Sequence, residues 1–168
     1  MTKNIHTAKL PDGTIAKRTS FSGRAYLFCV ATLPSYELAL KRASKPSETD
    51  ASNYKYHLRV IAEKGTTYQT KWNNETNEEY AARCAERVAE AIEDNKGATS
   101  AAEYVAIKVA ERIAHIEDLK ANGHFKKWIV QGWQSRADLA QKELDKALKS
   151  EWLIVADAKI IPVTMVTE

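Results

Sequence analysis

The nine residues from Arg24 to Thr32, RAYLFCVAT, give a strand no polar side. Tyr26, Phe28 and Val30 alternate with Ala25, Leu27, Cys29 and Ala31, so both faces are apolar. Such a strand belongs inside a sheet, covered on at least one face by helix. The rest of the chain must therefore supply neighbouring strands and helical cover.

Strands come first. Lys3 to Leu10 and Thr14 to Ser20 flank Pro11-Asp12-Gly13, and an Asp-Gly pair between alternating runs predicts a hairpin. Pro34 is placed to open a helix of two turns within LPSYELALKRAS. The polar KPSETDASN, Lys45 to Asn53, reads as a surface loop. From Asn53 to Trp72, NYKYHLRVIAEKGTTYQTKW alternates aromatic and cationic residues, the pattern of a half-buried hairpin. A three-residue loop at Glu63-Lys64-Gly65 would put Tyr56, Leu58, Val60, Tyr68 and Trp72 on one inward face. Lys55, His57, Arg59, Gln69 and Lys71 would form the outward one. A two-residue Lys64-Gly65 turn would instead set Tyr68 and Trp72 beside His57 and Arg59, as in a base-stacking platform. Lysine suits the positive φ of that turn poorly, which favours the segregated arrangement.

Two capped helices follow. Thr76 with Glu79, and Ser100 with Glu103, have capping-box spacing, and Asn95-Lys96-Gly97 and Asn122-Gly123 supply the stops. Their stripes are Tyr80, Cys84, Val88 and Ile92, then Val105, Val109, Ile113 and Ile116. The short connection predicts antiparallel neighbours, a helical hairpin over 76–121. The end of the chain, 125–166, reads strand, helix, strand. Ser135 caps a helix carrying Leu139, Ala140, Leu144, Ala147 and Leu148, and Pro162 keeps the last strands at an edge. The expectation is a single α+β domain over 1–168, mainly strands in 1–72, with an antiparallel or mixed sheet and about three helices.

Charge is divided along the chain: net +7 over residues 1–73, −6 over 74–118 and +2 over 119–168. Such a split steers an anionic partner to one end, or lets the blocks attract each other within the fold or between copies. Cys29 and Cys84 lie in apolar stretches and read as buried hydrophobes. The four histidines have no zinc-ligand spacing, and no nucleophile elbow, Walker loop or dinucleotide fingerprint occurs. No metal, cofactor or catalytic residue is assigned, although an enzyme would need His6 or His57 as its base. No apolar run reaches the about 20 residues of a membrane span, and the N-terminus lacks a secretory core. The expected location is the cytoplasm.

Two stretches look like anion sites. KRTSFSGR, Lys17 to Arg24, gathers cations, hydroxyls and a glycine. GWQSR, Gly132 to Arg136, ends a strand and starts a helix, where free N–H groups favour anions. Candidate partner-binding residues are Arg18, Ser20, Arg24, Arg59, Lys71, Ser135 and Arg136.

HTAKLPDGTIAKRTSFSGRAYLFCVA and GWQSRADLAQKELDKA, about a quarter of the chain, resemble small proteins of bacteriophages and prophages. That resemblance implies a viral or mobile-element origin, hence the host cytoplasm, and assigns neither a mechanism nor catalytic residues. The expected function is a non-catalytic binding protein that occupies a host protein, as a takeover or anti-defence inhibitor. The alternative is a nucleic-acid or nucleotide binder using the basic face of the sheet. A homo-oligomer would form through the helical hairpin.

Overall fold

The computed structural model describes residues 3–21, 25–66, 70–150 and 153–167, and the fold is α+β. The chain divides into two compact units, one from residues 1–42 and 115–168, the other from residues 43–114.

Among the described residues, the strands all lie in the first unit. β1 (Asn4–Lys9) and β2 (Ile15–Ser20) form the expected hairpin, in register from Asn4 opposite Ser20 to Lys9 opposite Ile15. Gly13 takes φ +86° at the turn, and Asp12 accepts hydrogen bonds from the N–H of Thr14 and of Trp128. These bonds hold the Asp12 carboxyl below its ordinary value, with the Trp128 bond the largest cause.

β3 (Phe28–Pro34) is central, as its two apolar faces require, and runs antiparallel to β4 (Ile129–Gln134) and β5 (Val155–Pro162). β6 (Thr164–Thr167) completes the other sheet, in the order β2-β1-β6. Pro162 ends the edge strand β5, and the chain then crosses to the other sheet's edge at β6. Ala8 of β1 and Leu10 just after it pack with Cys29, Ala31 and Ile161 from the other sheet, with Trp128 and Trp133 alongside. Burial pushes the Cys29 thiol up to about 11, so it serves as a small hydrophobe.

Helix α1 (Tyr36–Ala43) begins after Ser35, whose hydroxyl accepts the Leu38 N–H; Pro34 still belongs to β3. α5 (Ala137–Lys149) packs on β3, β4 and β5 through buried Ala140 and Ala147, while Leu148 is exposed. Its N-cap position is Arg136 rather than Ser135. A single 3-10 turn, His124–Lys126, precedes β4.

The second unit is helical, and it corrects the sequence reading most sharply. Residues 48–62 are not a loop and a strand but helix α2 (Glu48–Ala62). Ser47 is its N-cap, with Glu48 and Asp50 in the first turn where negative charge is favoured. Tyr54, His57 and Val60 are buried at three-residue spacing. Glu63-Lys64-Gly65 is no hairpin loop. The Gly65 N–H bonds to Val60 O and the Lys64 N–H to Ile61 O, a Schellman stop with both residues at positive φ. Tyr68 and Gln69, half of the expected second strand's pattern, lie outside the described residues.

α3 (Asn77–Asn95) has the predicted capping box and stops at Lys96, which is left-handed. Ala91 is buried in place of Ile92. α4 runs from Ala101 to Ala121. The described residues thus hold five α-helices, not about three. The expected α3–α4 hairpin does not form side by side. α3 packs along α2, and α4 meets α2 through Tyr104, whose ring lies 5.7 Å from those of Tyr54 and His57.

Gly65 decides that pairing. A β-carbon there would sit 2.1 Å from the Cys84 carbonyl oxygen. We expect Gly65→Ala to cost on the order of 3 kcal/mol, combining left-handed strain and overpacking. Gly13→Ala, with φ +86° but open space around it, should cost only about 1 kcal/mol. Urea denaturation followed by circular dichroism checks the difference, and equal midpoints would refute it.

Candidate functional site

The described residues among those expected to bind an anion are divided between the two units. Arg18 lies on exposed β2 with its guanidinium carbon 4.5 Å from the Tyr26 ring centroid. Ser20 is buried, its Oγ 3.1 Å from His6 Nε2. Asn4 stands opposite Ser20 and His6 opposite Arg18, so the imidazole reaches Ser20 diagonally across the strand pair. Tyr26 packs edge-on to His6 at 5.1 Å. His6 Nδ1 has no hydrogen-bond partner among the described residues. Arg24 lies outside them.

The far end of β4 approaches this neighbourhood through the backbone, where the Leu27 N–H donates to Gln134 O at 3.0 Å. Arg136 turns away to Asp138 in a two-pronged ion pair at 2.8–2.9 Å, and Ser135 is half-buried beside it. Arg59 pairs with Glu63 one helical turn on, at 2.7 Å. Lys71 donates to Asn77 Oδ1, also at 2.7 Å. Arg59 and Lys71 belong to the helical unit and Arg18 to the sheet unit, so the expected basic sheet face, built on a strand through residue 59, does not exist. Nor do the rings turn inward: Tyr56 is 40% exposed and Trp72 65%.

Those rings instead meet arginines of α3 that the sequence reading passed over. Arg83 lies 4.4 Å from the Trp72 ring centroid and 5.4 Å from that of Tyr80. Its Nε and Nη2 each donate to Glu75 at 2.8 Å, and Nη2 also reaches Thr70 O. The Glu75 carboxylate, 6% exposed, takes the Trp72 N–H as well. One turn along, Arg87 donates to Gly65 O and to the Tyr56 hydroxyl while lying over the Tyr56 ring. The available signal was the four-residue spacing of Arg83 and Arg87 on a helix following exposed aromatics.

The second feature missed is a groove of about 610 Å³ in the same unit. One wall is α4, from Ala101 and Ala102 through Val105, Val109 and Ala110 to Ile113. The other is Ser44, Pro46 and Ala51. Among the described residues no charged side chain lines it. The valines and Ile113 had been expected to pack on α3; because α3 takes α2, they line open space. Arg112 ties the same region together, bonding Asp50 at 2.7 Å and the carbonyls of Ala43 and Lys45.

Among the described residues no cluster of His, Cys, Asp or Glu is placed to hold a metal ion, and no helix is long and apolar enough to cross a membrane. No family model matches the chain, and neither a curated protein nor a solved structure is significantly similar to it.

The Glu75 carboxyl is held down to about 2 from an ordinary 4.5, chiefly by its hydrogen bonds to Arg83. A depressed folded-state value contributes stability that is fully present above 4.5 and lost as pH falls towards 2. Glu75→Gln should therefore unfold at lower urea than the native chain at pH 7, with the gap closing between pH 4.5 and 2. A gap that is constant over that range would show that the carboxylate's charge is not what matters.

Proposed function

We propose that the chain is a non-catalytic binding protein of phage type that acts by occupying a host protein, and that the α4 groove is where it grips. The observation supporting this reading is the open apolar wall from Ala102 to Ile113, three helical turns or about 16 Å long. An apolar groove of that length along a helix suits the apolar face of a partner helix, with anchors at three- and four-residue spacing. Burying the β-branched rows of Val105, Val109 and Ile113 would supply the association energy, at about 25 cal/mol per Å² of apolar surface. The Asp50–Arg112 pair at the rim gives a polar edge.

The nucleic-acid alternative loses support at its own residues. Arg59 and Arg136 are each matched by a neighbouring carboxylate. Phosphate binding through them would first have to break those pairs.

The test is a photo-crosslinking residue at position 109, read out in host cells. One host protein should be captured in stoichiometric yield. Val109→Glu should weaken binding of the purified partner at least about tenfold, roughly 1.4 kcal/mol, without loss of helix content. Crosslinks scattered over many proteins, or full binding by Val109→Glu, would end this reading.

A further inference from the structure

We infer that the turn carrying Trp72 is a binding site for a neutral saccharide, separate from the α4 groove and independent of what that groove binds. Trp72 to Glu75 form a β-turn closed by the Glu75 N–H bonding Trp72 O at 3.1 Å. The same two residues are tied a second time, from the Trp72 N–H to the Glu75 carboxylate at 3.0 Å. Arg83 then clamps both, stacked on the indole and twice bonded to the carboxylate. A ring that is 65% exposed is thus held in one orientation by groups that are themselves fully engaged. Beside it lies a hollow of about 580 Å³ lined by Trp72, Asn73, Asn74, Glu75, Glu79 and Arg83.

The chemistry of the rim selects the ligand. Asn73 and Asn74 occupy the corner of the turn, and among the described residues no hydrogen bond ties down either side-chain amide. Each offers two donors and one acceptor. Glu79 adds carboxylate oxygens, one of them engaged by the Thr76 N–H. Arg83 is neutralised by Glu75, and the remaining charges at the turn, Glu79 in the lining and Lys71 next to Trp72, are of opposite sign, so the hollow offers no net positive charge to phosphate or carboxylate groups. The occupant should be uncharged, with an apolar face for the indole and a rim of groups that both donate and accept. A pyranose ring has that form: C–H bonds on one face, hydroxyls around the edge. A proline-rich peptide also stacks on tryptophan, but its carbonyls only accept and would leave the amide and carboxylate oxygens unmatched.

The experiment reads the four tryptophan indole N–H resonances of the nitrogen-15-labelled chain. Trp72→Phe identifies the Trp72 signal by its loss. The probes are the methyl glycosides of glucose, galactose and N-acetylglucosamine, then maltose and cellobiose, with a proline-rich peptide and inorganic phosphate as competing classes. We expect at least one saccharide to shift the Trp72 signal saturably at millimolar concentration, leaving the other three still. The Asn73→Ala/Asn74→Ala variant changes only the corner of the turn, and it should bind at least tenfold more weakly with an unchanged urea midpoint. No saturable shift with any saccharide overturns the inference. So does a saturable shift produced by the peptide or by phosphate and not by a saccharide, or undiminished saccharide binding by the double variant.

Discussion

Where Gly65 meets the backbone of Cys84 there is room for a hydrogen atom and nothing larger. That contact requires a residue without a β-carbon, at a positive φ, three residues beyond the end of α2. It sets the end of α2 directly on α3, and the consequences spread from there. Arg87 of α3 can reach the Gly65 carbonyl and the Tyr56 hydroxyl together. With α2 as its neighbour, α3 is not available to cover α4. The second helix of the expected hairpin therefore keeps Tyr104 buried and leaves Val105, Val109 and Ile113 lining an open groove. A backbone contact that lines no pocket with its own side chain decides which apolar surface the helical unit leaves open.

The sheet was legible because its signals were local and unambiguous. Asp12-Gly13 fixed one hairpin, and the two-sided apolar run through Cys29 and Ala31 could only be central. Helix α3 was legible from Thr76 and Glu79 at one end and Lys96-Gly97 at the other. Helix α2 was not, because residues 54–60 satisfy two periods at once. Tyr54, Tyr56, Leu58 and Val60 alternate as a strand would, while Tyr54, His57 and Val60 recur as a helix would. The helix buries the second set and leaves Tyr56 and Leu58 exposed at 40% and 43%. The deciding marks lay outside the ambiguous stretch: Ser47 with Glu48 and Asp50 before it, Gly65 after it. Read together they bracket a helix of ordinary length; read singly they pass for a polar loop and a hairpin turn.

The functional residues divide in the same way. Arg59 and Arg136, expected as anion ligands, each have a carboxylate partner. Glu63 stands four residues after Arg59, and Asp138 two after Arg136, close enough along the chain to be anticipated. Glu75 reaches Arg83 across eight residues and only because a turn precedes α3, so that pair is visible only in three dimensions. The aromatic and cationic residues of the opening stretch are neither segregated on two faces of a hairpin nor gathered into a base-stacking platform. Tyr56 and Trp72 are each paired with an arginine from α3, and Trp72's arginine is already neutralised.

The charge split along the chain takes on a different meaning once the ion pairs are placed. Had the basic and acidic blocks been built to dock on each other, their opposite charges would meet in pairs across the 73/74 boundary. Within the helical unit, Glu75–Arg83 and the pairing of Glu111 with Lys96 and Lys108 instead lie inside the acidic block, and Arg59–Glu63 inside the basic one. Asp50–Arg112 does cross, but with the signs reversed: the acid comes from the basic block and the base from the acidic one. Arg59–Glu63 and Glu75–Arg83 each remove one charge of either sign and leave their block's imbalance unchanged, while Asp50–Arg112 widens both. The excess acid of α3, at Glu78, Glu86, Glu90 and Glu93, stays on its exposed face. It acts over a Debye length of about 8 Å at physiological salt. The groove and the Trp72 turn, by contrast, are lined chiefly by uncharged or neutralised groups.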